Sequence, residues 1–158
     1  MGKIAFVFAG QGAQYSGMGK DLYENSDAAK QVFENADAVR PGTSRQCFEG
    51  NDEELSQTVN TQPCLYCVDL ACALALEEAG VKPDMAAGFS LGEIAALAYT
   101  GAFVGNAGFE FVTKRAQAMD KAAKENPGAM AAVLKLTNEK VEEICRSFEK
   151  VYPVNYNC

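Results

Sequence analysis

The sequence contains no histidine in its 158 residues. Histidine is the side chain that most often acts as a general base, and it is also the most common metal ligand. Chemistry that needs such a base must therefore use another residue type, or a histidine from a different polypeptide. The absence excludes a histidine-based catalytic triad or metal centre that is built from this chain alone.

Basic residues and long hydrophobic runs are also scarce. The 14 lysines and arginines are outnumbered by 21 aspartates and glutamates, and the net charge of −7 argues against nucleic acid as the main partner. The longest apolar stretch, residues 64–79, contains Asp69, Glu77 and Glu78, which makes it too short and too charged to cross a membrane. The apolar run at residues 4–9 is too short for a signal peptide. We therefore expect a cytoplasmic protein that binds neither nucleic acid nor a membrane.

The cysteines show no regular spacing and follow no secretory signal, so we expect reduced thiols. Cys64 and Cys67 form a CxxC pair, but no second pair or histidine completes a zinc site. We expect both to be small apolar residues on a buried helix. The six cysteines are Cys47, Cys64, Cys67, Cys72, Cys145 and Cys158.

Strand-like and helix-like patterns alternate along the chain, which indicates an α/β fold with a parallel sheet. The last eight residues alternate like a strand and then stop without a turn or a cap, so we expect the chain to be a fragment of a longer protein. Strands are predicted at residues 3–9, 85–88, 129–136 and 151–156, and helices at 26–39, 52–58, 61–79, 91–100, 106–125 and 139–148.

The segment Gly88-Phe89-Ser90-Leu91-Gly92 is a GxSxG motif. A short apolar strand precedes it and a helix follows it, which is the setting of a nucleophile elbow. Ser90 would then sit at a helix N-terminus, where backbone N–H groups point at developing negative charge. The alternative is a serine that only caps the helix between two glycines.

A glycine-rich loop, residues 10–19, follows the first predicted strand. Tyr15 stands where a dinucleotide-binding fingerprint requires glycine, and Met18 stands where a P-loop requires lysine. In elbow enzymes the oxyanion hole combines the N–H after the nucleophile with an N–H from a separate loop. Here Leu91 and Gln11 are the candidate donors, and a plain surface turn is the alternative.

Arg115 lies at the edge of the apolar stripe of the predicted helix 106–125. From that edge an arginine reaches into a partly buried pocket and binds a carboxylate through two hydrogen bonds. The alternative is an arginine whose aliphatic stem merely covers the core. Lys114, Lys121 and Lys124 lie on the opposite side of the helix, as candidates for a docking patch or simply as a solvated face.

These elements together resemble the malonyl-CoA:acyl carrier protein transacylase family of bacterial type II fatty acid synthesis. The resemblance runs along the whole chain, but it covers only about the first half of a family member. The matching segments, in order, are FVFAGQGAQ at 6–14, TQP at 61–63, GFSLGE at 88–93, Arg115, GAMAAV at 128–133 and PVNYN at 153–157.

The resemblance implies that Ser90 takes malonate from malonyl-CoA and passes it to the phosphopantetheine thiol of acyl carrier protein. It assigns the oxyanion hole to Gln11 and Leu91 and the binding of the malonyl carboxylate to Arg115. It implies no metal or cofactor, with malonyl-CoA as substrate and acyl carrier protein as partner.

The same resemblance implies an α/β-hydrolase-like large subdomain with a short parallel sheet and many helices, over residues 1–127. Residues 128–158 would begin an inserted ferredoxin-like small subdomain. Gln62, Met130 and Asn155 fall in matching segments and are candidates for the pocket lining.

Two departures from the family pattern bear on activity. Phe89 stands where the family usually has a histidine before the nucleophile, and the family's catalytic histidine lies in the half that this sequence lacks. Since a serine without a base is a weak nucleophile, we expect impaired transfer until the missing C-terminal half is supplied. The alternatives are a non-catalytic fragment that binds acyl-CoA or carrier protein, and a serine hydrolase that uses Lys114 or Lys121 as its base.

Overall fold

The computed structural model describes residues 2–156, so Met1, Asn157 and the Cys158 thiol lie outside the described residues. As the sequence predicts, the chain forms an α/β fold with a short parallel sheet and many helices. The elements are β1 (Ala5–Phe8), α1 (Lys20–Asn25), α2 (Asp27–Val39), α3 (Thr43–Glu49), α4 (Asp52–Ser56), α5 (Thr58–Glu78), β2 (Met85–Gly88), α6 (Leu91–Tyr99), α7 (Ala107–Glu125) and α8 (Asn138–Arg146).

The two strands pair in parallel, with Ala5 opposite Met85 and Phe8 opposite Gly88. Both strands therefore end at the same edge of the sheet. The glycine-rich loop leaves β1 at this edge, and the GxSxG turn leaves β2 beside it. Residues that are about 80 positions apart in sequence become neighbours in this way.

The predicted strands at residues 129–136 and 151–156 do not form. Both segments are exposed and irregular in the described part of the chain, and no neighbouring strand pairs with them. Alternation of apolar and polar residues predicts which face of a strand is buried, but a strand also needs a hydrogen-bonding partner. These two predictions are therefore wrong for this structure.

Helix α5 is the centre of the core and packs against α2, α6 and α7. It is apolar nearly all round, and its buried residues include Leu65 and both members of the CxxC pair, Cys64 and Cys67. With 21 residues it is long enough to cross a membrane, contrary to the length expected from the sequence, but half of its most apolar stretch is buried inside the fold. Such burial is typical of a core helix.

The start of α5 also differs from the prediction. The sequence predicts that this helix begins at Thr61, but Thr61 lies inside the first turns, and its hydroxyl donates to the carbonyl oxygens of Leu55 (2.5 Å) and Gln57 (2.9 Å). Thr61 thereby ties α4 to α5, because Leu55 belongs to α4. The hydroxyl is fully buried, and its hydrogen bonds satisfy it there.

The described residues fall into two compact units, and the boundary between them along the sequence lies between Asn126 and Pro127. The first contains the sheet and α1 to α7. The second contains α8, which begins where the Thr137 hydroxyl accepts a hydrogen bond from the Lys140 N–H. Its similarity to a ferredoxin-like subdomain stays a prediction.

Candidate active site

Ser90 occupies a strained turn between β2 and α6. Its backbone angles are φ 55° and ψ −109°, a conformation that residues other than glycine rarely adopt. Its side chain is exposed, and Leu91 begins α6 immediately after it. Backbone strain of this kind persists only where the surrounding structure holds it, and it is concentrated at functional sites. The turn presents the Ser90 hydroxyl at the positive end of a helix.

The two glycines of the motif allow α6 to lie directly on the sheet. A Cβ atom at Gly88 would overlap the backbone carbonyl group of Gly92, and a Cβ atom at Gly92 would overlap the carbonyl oxygen of Phe8. Both obstacles are backbone atoms, which cannot rotate away as a side chain would. The GxSxG spacing is therefore required by the close contact of strand, turn and helix.

The loop after β1 touches the serine turn. A Cβ atom at Gly10 would lie 2.8 Å from the carbonyl oxygen of Phe89 and 2.6 Å from its ring, so only glycine fits there. Within residues 2–156, the backbone N–H groups of Gln11 and Leu91 have no hydrogen-bond acceptor. Two open donors on neighbouring segments beside a serine are the arrangement that an oxyanion hole requires.

Arg115 reaches the serine directly. Its Nη2 donates to the Ser90 Oγ at 3.1 Å, and its Nη1 donates to Gln62 Oε1 at 2.7 Å. Gln62 is only 1 % exposed, and its Nε2 lies 3.2 Å from the Met119 sulfur. This buried amide holds one side of the guanidinium while the other side faces the serine. The guanidinium thus does more than cover the core.

In the described part of the chain, Arg115 forms no ion pair with a carboxylate. Its positive charge lies beside the Ser90 hydroxyl, and its side chain is half-buried. An arginine in this state can bind an anionic group of an incoming ligand. It cannot accept a proton from Ser90, because a guanidinium stays protonated at all ordinary pH values.

No described side chain is placed to act as a base for Ser90, since the side chain that hydrogen-bonds to its hydroxyl is the permanently charged Arg115. Lys114 is exposed on α7. Lys121 pairs with Glu125 (3.7 Å) on the same exposed helix. The lysine-base alternative therefore has no geometric support.

The expected docking lysines are partly neutralised. Lys124 pairs with Asp120 at 2.7 Å, and Lys121 pairs with a glutamate one turn further on. Ion pairs of this kind at i and i+4 are typical of a solvated helix face. The structure thus favours the solvated face over a concentrated basic patch.

Of the remaining predicted pocket residues, Met130 and Asn155 belong to the second unit and are exposed there. Their membership in the pocket stays a prediction. Met119 was missed as a neighbour of the site, although it lies four residues after Arg115 and therefore on the same face of α7. Thr58, whose hydroxyl accepts a hydrogen bond from the Gln11 side chain (3.3 Å), had no local signal in the sequence.

Comparison with known proteins gives a family match over nearly the whole chain. Residues 5–158 match the family described as the acyl transferase domain. The chain is 40 % identical to a malonyl CoA-acyl carrier protein transacylase of Bacillus subtilis (strain 168), over 100 % of this chain and 51 % of that protein. A transacylase of the same name from Staphylococcus aureus (strain MRSA252) is 37 % identical, over 100 % of this chain and 52 % of that protein.

Solved structures give the same result. The malonyl CoA-acyl carrier protein transacylase of Clostridium perfringens superimposes with a TM-score of 0.84 and 39 % identity, over 92 % of this chain and 46 % of that one. The corresponding enzyme of Coxiella burnetii gives a TM-score of 0.86 and 36 % identity, over the same shares of 92 % and 46 %. The chain spans about half the length of the relatives it matches. Because the family match extends over nearly all of its residues, the chain belongs to the acyl transferase domain family.

Proposed function

We propose that this chain carries the nucleophile, the oxyanion hole and the carboxylate-binding arginine of a malonyl-CoA:acyl carrier protein transacylase. The observation that carries the proposal is the contact of Arg115 with both Ser90 and the buried Gln62. It places a cation beside the serine of the GxSxG turn. A substrate with a thioester at one end and a carboxylate at the other requires this arrangement, because the serine would react with the thioester while the arginine binds the carboxylate. The names of the relatives support malonyl as the acyl group and acyl carrier protein as the acceptor.

The reaction proceeds in two acyl transfers. The Ser90 oxygen attacks the thioester carbonyl of malonyl-CoA, and the N–H groups of Gln11 and Leu91 stabilise the negative oxygen of the tetrahedral intermediate. The carbon–sulfur bond breaks, CoA leaves as its thiol, and malonate remains on Ser90 as an ester. The phosphopantetheine thiol of the carrier protein then attacks this ester and restores the free serine.

The proton of Ser90 needs an acceptor, and no side chain within residues 2–156 is placed to take it. The sequence has no histidine, and family resemblance assigns the base to a histidine in the second half of the enzyme. Residues 1–127 are then the large, α/β-hydrolase-like subdomain, and residues 128–158 begin the ferredoxin-like one. Met130 and Asn155 of that segment would line the acyl pocket.

A second candidate function is binding without catalysis. It is favoured by one observation, the lack of a base beside Ser90 in the described residues. Calorimetry with malonyl-CoA and with carrier protein distinguishes the two functions. Tight binding by the chain, together with no transfer after the second half is supplied, would support the binding function instead.

The direct test is complementation. The part of the Bacillus subtilis relative that this chain does not match is fused to its C-terminus, and transfer of labelled malonate to carrier protein is followed. We expect transfer by the fusion at a rate well above that of the chain alone. A folded fusion that binds malonyl-CoA but transfers nothing would contradict the proposed function.

Arg115→Ala provides a prediction on acyl selectivity. Loss of a charge-assisted hydrogen-bonding partner costs about 2 kcal/mol, so malonyl transfer by the fusion should fall by roughly 30-fold in kcat/KM. Transfer of an acetyl group, which has no carboxylate, should fall much less. Lys114→Ala is the matched control, because that residue is exposed on the same helix, and it should leave both rates unchanged. Equal losses for malonyl and acetyl transfer would show that Arg115 does not bind the malonyl carboxylate.

A further inference from the structure

Asp69 is a carboxylic acid inside the fold that the proposed reaction does not use. It lies on α5 and faces the end of β1, where its Oδ1 accepts a hydrogen bond from the Ala9 N–H at 3.3 Å. Its Oδ2 is buried and has no hydrogen-bond partner in the described residues. Ala9 is the residue that joins β1 to the loop of Gly10 and Gln11. The carboxyl group is thus attached to the base of the segment that carries the Gln11 amide.

Burial of Asp69 disfavours the ionised form of its carboxyl group. Burial raises the pKa of Asp69 from its ordinary value of 3.8 to about 7, although the Ala9 N–H acts in the opposite direction. The titratable group coupled to it is Cys72, one turn along the same helix, whose own pKa is raised by burial and by the charge of Asp69. A buried acid that is so poorly compensated is typical of a functional region.

Ala9, whose N–H is bound by Asp69, is also held at its carbonyl group. The Ala9 carbonyl oxygen packs against α6, where a Cβ atom at Gly92 would lie only 2.6 Å from it. The Ala9 N–H is therefore fixed by α5, while its carbonyl group is fixed by the helix that follows Ser90. Two residues of chain span at most about 7 Å, so the direction of the Gln11 N–H depends on how Ala9 is held.

We propose that Asp69 is a positioning residue, whose carboxyl group anchors Ala9 and thereby fixes the Gln11 N–H beside Ser90. The oxyanion role of that N–H rests on the proposed function, whereas the anchoring of the loop does not. Asp69 acts through the backbone and touches neither the serine nor the substrate. The ionised form is the stronger acceptor for the Ala9 N–H.

The test follows the backbone amides of the full chain by nuclear magnetic resonance from pH 5 to 9. In the unmodified chain the Ala9 amide proton should move downfield with a midpoint near 7, as Asp69 ionises. Asp69→Asn should remove this titration. Asp69→Ala should speed hydrogen exchange of the Ala9 amide by about tenfold, the effect of losing its hydrogen bond, and should shift the Gln11 amide resonance as the loop moves.

Asp84→Ala is the matched control. Asp84 accepts a hydrogen bond from the Ile4 N–H (2.8 Å) at the opposite end of β1, and it is exposed. This variant should change the Ile4 region and leave the Gln11 amide unaltered. An unchanged Gln11 amide resonance in Asp69→Ala, or an Ala9 titration that persists in Asp69→Asn, would overturn the proposal.

Two further readouts keep the outcome unambiguous. Because folding raises the pKa of Asp69, this group stabilises the fold fully below pH 3.8 and loses that contribution as the pH rises through about 7. Asp69→Asn should therefore stay folded and lose less stability than the unmodified chain between pH 5 and 8.

If the amide results hold but the fusion transfers no malonate, the anchoring stands and the proposed function fails. If the fusion is active but the Gln11 amide resonance is the same with and without the Asp69 carboxyl group, the anchoring fails alone.

Discussion

Replacing Ser90 with alanine lowers malonyl transfer by the complemented enzyme by a factor on the order of 10⁴ or more. The alanine variant has no oxygen to take the acyl group, so the two-step route is closed. The residual rate then comes only from bringing the malonyl thioester and the thiol of the carrier protein together. Steady-state transfer of labelled malonate to carrier protein measures the loss.

Ser16→Ala is the control for this experiment. Ser16 is an exposed serine in the neighbouring glycine-rich loop, and its replacement should leave the rate within about twofold. Binding of malonyl-CoA to Ser90→Ala should also stay close to normal, because Arg115 is untouched. A Ser90→Ala enzyme that keeps about a tenth of its activity would exclude an acyl-serine route.

Gly92→Ala destabilises the first unit by about 3 kcal/mol, near the upper end of overpacking effects. Helix propensity alone favours alanine over glycine by about 1 kcal/mol, so the two effects have opposite signs. The steric effect dominates, because the new Cβ atom would overlap the Phe8 carbonyl oxygen, which is fixed in the sheet. Relief requires α6 to move away from β1, and the serine turn moves with it.

Urea denaturation measures this effect, with Glu93→Ala as the control. Glu93 follows Gly92 in α6 and is exposed, so its replacement should change stability by less than about 1 kcal/mol. If Gly92→Ala were as stable as the unmodified chain, α6 would not lie as close to the sheet as the structure places it. The structural reason for the GxSxG motif would then be lost.

The serine turn could be predicted from the sequence because its requirements are local. A short apolar strand, two glycines and a helix specify the turn within a few residues, and the structure has each of them. Arg115 could be placed at the edge of its helix by periodicity. Its contact with Gln62 could not be predicted from periodicity, since the two residues are 53 positions apart and meet only when α5 and α7 pack.

The failures have equally specific causes. Helices α1 and α3 were missed because each begins after a left-handed glycine, Gly19 or Gly42, instead of a serine, threonine or aspartate cap. The strands predicted at 129–136 and 151–156 were wrong because a pattern of alternation carries no information about a pairing partner. In the sequence Asp69 is visible only as an interruption of an apolar run, and its hydrogen bond with Ala9 joins residues 60 positions apart that meet only in the folded chain.

The most direct measurement is the location of the acyl group after the complemented enzyme has reacted with malonyl-CoA and been quenched in acid. Peptide mapping by mass spectrometry should find one malonyl group, on the peptide that contains Ser90, as an ester. The exposed thiol of Cys72 is the natural competitor, and a thioester there is recognised by its rapid cleavage with hydroxylamine. A malonyl group on Cys72, or on any residue other than Ser90, would contradict the account.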